Sequence, residues 1–180
     1  MERLTELEGA VLGVVWERGP CTPYAVRHVF LDSPSPYWSG SAGAIYPLMQ
    51  RLERQGRIAS KKSSTGRRRR ALYMLTPAGR RAFRAWLRPP WPAVVTGVPA
   101  DPLRTRVSFL GALPAWTRAR FLKQAVERIA SSIPGLEKDR QRQRRAGNLF
   151  EAAVARGAVG AQLARRRWLD GLRTEMRRRR

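Results

Sequence analysis

The chain has 180 residues, enough for one ordinary domain or two small ones that each close a core. Thirty-six Lys and Arg against thirteen Asp and Glu give a formal charge of +23, a field that gathers polyanions and repels cationic proteins. No apolar run approaches the roughly 18 residues of a membrane span, and one cysteine, Cys21, with one histidine, His28, can neither form an internal disulfide nor complete a structural zinc site.

The opening MERLTELEG mixes acids and bases ahead of its apolar residues, unlike a secretory signal, so a cytoplasmic location is expected. From Leu4 to Trp16 the apolar spacing predicts a first helix, with Thr5 and Glu8 at capping-box separation and Gly19-Pro20 as its stop. Thr22-Pro23 is a cap and first-position pair opening a second helix through Tyr24, Val26 and Val29 to Phe30 or Leu31. Asp32 to Gly40 is rich in turn formers.

The stretch from Ser39 to Arg54 predicts a third helix with two faces. Ile45, Leu48, Met49 and Leu52 recur at i, i+3, i+4, i+7 and form its buried side. The opposite side carries Gly43, Tyr46, Pro47, Gln50, Arg51 and Arg54, the groups that reach base edges and phosphates in a major groove, with Ser41 in the turn leading in. An ordinary amphipathic helix would also carry Arg and Gln outside. Pro47 lacks the N–H for a bond to residue 43, which favours a late start near Gly43.

After Gly56 the period changes from 3.6 to 2. Arg57 to Lys62 and Arg69 to Leu75 read as two strands joined by SSTGRR, a hairpin carrying Lys61, Lys62, Arg67, Arg68, Arg69 and Arg70. A charge run is most often a solvated face, but here a basic finger follows a helix whose outer face is also basic. Thr76-Pro77 then opens a fourth helix, Ala78 to Leu87, with Phe83, Trp86 and Leu87 inward. Helix, helix, helix, hairpin, helix is the order of a winged helix-turn-helix, in which the third helix enters the major groove and the wing follows the backbone or minor groove.

Arg88 to Pro99 holds four prolines and no periodicity, predicting a linker. Beyond it, helices are expected at Leu103 to Leu113, from about Ala115 to a kink or end at Pro134-Gly135, and at Leu149 to Met176. The last carries a narrow stripe, with Phe150, Val154, Ala161, Trp168, Leu172 and Met176 taken as dimerisation residues, because a few long helices with narrow stripes enclose little core alone. The expected organisation is a DNA-binding domain at 1–88, a linker at 89–100 and a helical dimerisation domain at 101–180, mainly α with one small β-hairpin.

GAIYPLMQRLERQGRI and RRRALYMLTPAGRRAF resemble the PadR-like family of transcriptional regulators: a Tyr-Pro pair, an Arg-Leu pair, a Gly before an apolar residue, then a basic strand, an aromatic residue, Leu-Thr and a later Gly. The resemblance covers about residues 4 to 88 and extends weakly to WLDGL at Trp168. It implies a homodimeric repressor of double-stranded operator DNA and, as in some members, a small aromatic effector. This chain differs in its RRRR ending and its longer, proline-rich linker.

Nothing in the sequence has the form of an active site. Cys21 and His28 are read as a buried thiol and a surface imidazole, and GSAG at 40–43 neither follows a strand nor precedes a Lys, so no catalytic residue, metal or cofactor is expected. Trp16, Trp86 and Trp168 fall on apolar helix faces and are read as core or dimer contacts. The competing reading of the charge is a non-specific architectural or RNA-binding protein.

Overall fold

A computed structural model of the chain describes residues 3–65 and 68–178, with the side chains of these apart from 63–65 and 68–69. It divides into two compact units, Met1–Pro99 and Ala100–Arg180.

In the first unit, α1 (Glu6–Arg18) begins at the Thr5–Glu8 capping box and ends at Gly19. The helix α2 (Pro23–Leu31) starts from Thr22, whose hydroxyl accepts from the Ala25 N–H. The turn-rich stretch forms a short helix, α3 (Pro36–Gly40), followed by a 3₁₀ turn at Ser41–Ala44. Ser35-Pro36 repeats the pairing of a capping residue with a first-position proline, a signal masked by the many turn formers around it. The helix α4 (Ile45–Arg54) begins late. Pro47 is its third residue, where the N–H would have no intrahelical partner, so the proline costs no hydrogen bond.

Strands β1 (Ile58–Thr65) and β2 (Arg68–Leu75) pair antiparallel from Ile58 opposite Leu75 to Thr65 opposite Arg68. The ladder therefore runs into the stretch expected as a loop. Cys21 adds a short third edge: its N–H donates to the Tyr73 carbonyl at 3.1 Å, and the Tyr73 N–H returns a bond to Cys21 at 2.8 Å. The thiol is buried, and burial raises its pKa above the ordinary range. The helix α5 (Pro77–Leu87) is capped by Thr76, whose hydroxyl also donates to the Gly56 carbonyl at 2.7 Å and so ties this helix to the end of α4. Gly79 lies against the Arg57 carbonyl, where an added Cβ would be 1.8 Å from the oxygen; a side chain there would push α5 off the hairpin.

One core unites these elements: Val11, Leu12 and Val15 from α1, Val26 and Phe30 from α2, the four apolar residues of α4, Ile58, Tyr73 and Leu75 from the hairpin, and Phe83 from α5. Each such side chain contributes roughly 1.5 to 3 kcal/mol by leaving water. Two aromatic and apolar positions differ from expectation. Leu87 is 52% exposed, being the last helical residue, and Trp16 is 64% exposed, its ring leaning over Phe83 at 6.0 Å. The 89–100 stretch, expected as a linker, contains a short helix, α6 (Ala93–Thr96).

The second unit consists of α7 (Pro102–Ser108), a 3₁₀ turn at Leu110–Ala112, α8 (Ala115–Arg145) and α9 (Leu149–Arg178). Helices α8 and α9 pack along each other, and this packing carries α8 through Pro134, where the sequence predicts a kink or end. Beside the proline, Gln162 of α9 donates to the Ser132 hydroxyl at 3.2 Å. Asp101 caps α7 and accepts from Arg165 of α9 at 2.9 Å; burial would raise its pKa, but the Leu103 N–H, Arg165 and the Arg104 N–H bring it below the ordinary value.

The stripe expected for dimerisation splits in two. Phe150 and Val154 are 79% and 67% exposed, and Ala161 and Trp168 are exposed beside them. Leu172 and Met176 instead pack on the unit's own core of Leu110, Leu122, Val126, Ile129 and Leu169. The cause is helical drift. At 100° per residue Met176 lies roughly 80° around the axis from Phe150 and within about 20° of Leu169, the residue that faces α8.

Candidate nucleic-acid interface

Helix α4 is fixed from below and free above. Ile45, Leu48, Met49 and Leu52 are all buried, which sets the rotation of the helix about its axis. That rotation leaves Gly43, Tyr46, Gln50 and Arg54 exposed along the outer face, with Tyr46 at 45%. A side chain on so fixed a scaffold can hold an amide or guanidinium in register with a base edge.

Two of the residues expected to contact DNA also have partners within the chain. Arg51 donates through Nη2 to Glu8 Oε1 on α1 at 3.0 Å. Glu8 is a buried carboxylate, and a buried charge requires a partner, which Arg51 supplies while its own side chain stays 52% exposed. Ser41 donates its hydroxyl hydrogen to the Tyr37 carbonyl at 2.8 Å, which ties the start of the 3₁₀ turn back to α3. Glu53, on the flank, accepts from Ser60 at 2.6 Å and Tyr73 at 3.2 Å, which locks α4 against the hairpin. Burial, then the Glu53 charge, raise the Tyr73 pKa.

The Glu8 brace predicts a pH dependence. Burial alone would raise its pKa, but the Thr5 N–H, the Thr5 hydroxyl and Arg51 outweigh burial and hold it below the ordinary 4.5. A carboxyl with a depressed folded-state value stabilises the fold above its unfolded value and loses that contribution as pH falls through the folded one. Glu8→Gln is therefore expected to cost about 1 to 3 kcal/mol near neutrality. Its deficit against the parent should shrink toward zero as pH falls below 4.5. Urea midpoints of both proteins across the acid range measure this; a deficit that stays constant with pH assigns the cost to shape rather than charge.

On the wing, Lys61, Lys62 and Arg70 are exposed. The register places Lys61 and Arg70 on one face of the hairpin, diagonal to each other, and Lys62 on the opposite face, so cations flank both sides of the ribbon. Arg67 lies outside the described residues. Arg68 and Arg69 belong to β2 by their backbone, and their side chains lie outside the described ones.

Tyr24, expected among the apolar residues of the second helix, joins them. Tyr24 is 61% exposed and, with Thr22, Pro23, Tyr46, Arg70 and Ala71, borders a groove of about 500 Å³ between the start of α2, α4 and the wing. The signal was present in the spacing: Tyr24 and Val26 are two apart, which on a helix means opposite faces, and Val26 is fully buried. Two phenols and a guanidinium around the N-terminus of a helix suit a backbone phosphate.

A second cavity in the same unit, also about 500 Å³, is lined by Arg3, Glu6, Trp86, Leu87, Trp91 and Val95 among others. Its indoles are held in place: Trp86 Nε1 donates to Glu6 at 3.3 Å and Trp91 Nε1 to the Leu87 carbonyl at 3.1 Å. Among the described residues no group of three or more His, Cys, Asp or Glu could hold a metal, and no helix is long and apolar enough to cross a membrane.

The model of the transcriptional regulator PadR-like family matches residues 11–85. No curated protein matches the sequence significantly. Among solved structures, Bacillus subtilis PadR in complex with operator DNA aligns with a TM-score of 0.83 at 17% identity, over 97% of this chain and 99% of that one. The PadR-like transcriptional regulator BC1756 from Bacillus cereus aligns at 0.73 and 21% identity, over 97% and 98%. Bacillus subtilis PadR in complex with p-coumaric acid aligns at 0.73 and 17%, over 94% of each chain. At such identities the likeness establishes the fold, winged helix and helical unit together. The likeness to the transcriptional regulator PadR-like family thus rests on the winged-helix unit, where the family model matches.

Proposed function

We propose that the chain is a homodimeric, sequence-specific regulator that binds double-stranded operator DNA and represses transcription. The observation that carries this reading is the fixed orientation of α4, which buries one face completely and presents Gly43, Tyr46, Gln50 and Arg54 beside a basic wing. In this reading α4 reads bases, Tyr24, Tyr46 and Arg70 seat a phosphate, and Lys61 and Lys62 follow the backbone, with Arg67, Arg68 and Arg69 completing the basic wing. Arg51 and Ser41 also brace the reading helix.

The test separates the two kinds of contact. Gln50→Ala is expected to cost about 1 to 3 kcal/mol on an operator, such as an inverted repeat before the chain's own gene, and little on scrambled duplex. Replacing Lys61 and Lys62 by Ala should weaken both duplexes alike and flatten the plot of log affinity against log salt by about 0.9 per lost phosphate contact. A Gln50 variant that loses affinity equally on both duplexes sinks specific reading by α4 and supports the architectural alternative.

The cavity between Trp86 and Trp91 is the proposed seat of a small aromatic effector. The indole walls offer stacking surface and Arg3 a counter-charge for an acid. Titration with p-coumaric acid, the ligand bound to the B. subtilis protein, should quench tryptophan fluorescence in the parent and much less in Trp91→Ala. Equal quenching in the two places the effector elsewhere.

A further inference from the structure

The helical unit carries a large surplus of positive charge of its own. Ala100–Arg180 contains twenty Lys and Arg against seven Asp and Glu. Part of this surplus converges on one cleft of about 380 Å³, between the first turns of α8 and the last turns of α9. Its floor is Leu122, which is buried, and Met176, which is half-buried. Its rim is Arg120 and Lys123 from α8, facing Arg173 and Arg177 from α9. Each pair sits three or four residues apart, on one side of its helix.

No acidic residue lines the cleft among the described residues. Lys123 reaches Glu127 only at 3.9 Å, and Asp170, 3.2 Å from Arg173, is shared with Arg166 at 3.8 Å. Arg120 and Arg177 make no ion pair among the described residues. Four cations facing one another across an apolar floor repel, and an anion placed between them turns that repulsion into attraction.

We propose that this cleft binds a phosphorylated small molecule that has an apolar or aromatic body. Guanidinium forks match phosphate oxygens two at a time, and three of the four cations are arginine. The apolar floor rewards a ligand with carbon attached to the phosphate, and the cavity has the size of a small-molecule site rather than of a duplex. The cleft is lined by residues of the second unit alone and shares none with the wing, α4 or the tryptophan-lined cavity, and the proposal does not depend on them.

The experiment is calorimetric titration of the full-length protein with 1-naphthyl phosphate, 1-naphthol and inorganic phosphate. Saturable binding of 1-naphthyl phosphate is expected, at least about tenfold tighter than either fragment and weakened by salt. Arg120→Ala with Arg177→Ala, both exposed on the rim, should reduce that affinity by about tenfold for each guanidinium lost. Met176→Ala should weaken 1-naphthyl phosphate while leaving inorganic phosphate unchanged. Absence of saturable binding overturns the proposal, as does undiminished binding by the double arginine variant. Equal affinity for inorganic phosphate and 1-naphthyl phosphate also overturns it. Loss of random-duplex affinity in the double variant, with 1-naphthyl phosphate binding intact, overturns it in favour of a nucleic-acid backbone.

Discussion

Full-length protein carrying Phe150→Glu and Val154→Glu is expected to sediment at the chain mass of 20.4 kDa where the parent sediments at twice that value, and to lose about two to four orders of magnitude in operator affinity. The side chains concerned are 79% and 67% exposed, so the substitutions remove no contact within the chain, and any fall in melting temperature should reflect only the lost association and depend on protein concentration in the parent. Phe150, Val154, Ala161 and Trp168 follow a spacing of four and seven residues, which makes a continuous seam along α9. The opposite side of the same helix already packs against α8 through Ala155, Val159 and Leu169. A helix with apolar residues on two sides has one side left for a second copy. The affinity loss follows because a dimer binds its second half-site at the effective concentration set by the first, whereas a monomer does not. Glutamates at 150 and 154 introduce charge into the seam from both copies, a repulsion doubled by symmetry. A variant that stays dimeric moves the interface off this seam, and a monomer with undiminished operator affinity removes the need for two half-sites.

What the sequence made legible was local. Thr5 with Glu8, Thr22 with Pro23 and Thr76 with Pro77 each start a helix where the capping chemistry says one should, because the partners lie within four residues and no distant contact competes. The phase of α4 was also readable, since four apolar residues in eight positions fix a rotation without ambiguity. What escaped depended on distant partners. Arg51 meets Glu8 across 43 residues of sequence, and no periodicity distinguishes a guanidinium that faces DNA from one that neutralises a buried carboxylate. Cys21 joins the wing through backbone groups alone, which leave no trace in residue identity. Pro134 stays helical because α9 packs alongside α8, an instance of tertiary contact overriding local preference. From Trp168 the stripe steps by four to Leu172 and again to Met176, and each such step turns it about 40° around a straight helix, out of the seam and toward Leu169.

Leu48→Ala is expected to destabilise the winged-helix unit by about 2 to 5 kcal/mol, a large fraction of the roughly 5 to 15 kcal/mol that holds a domain together. Leu48 is 4% exposed and sits in the core between Ile45 and Leu52, facing residues from α1 and α2. Its truncation removes three carbon atoms from water-free packing and leaves a cavity that neighbours from three helices cannot collapse to fill. Gln50→Ala on the opposite face removes only solvated atoms and should leave stability within about 0.5 kcal/mol of the parent. The contrast between neighbours two residues apart is the informative quantity, because both lie on the same helix and differ only in which way they point. Thermal or urea unfolding of the two variants measures it. A Leu48 variant as stable as the parent, or a Gln50 variant as damaged as the Leu48 one, would place α4 in the opposite rotation, with its apolar residues outward and Tyr46, Gln50 and Arg54 unavailable to DNA.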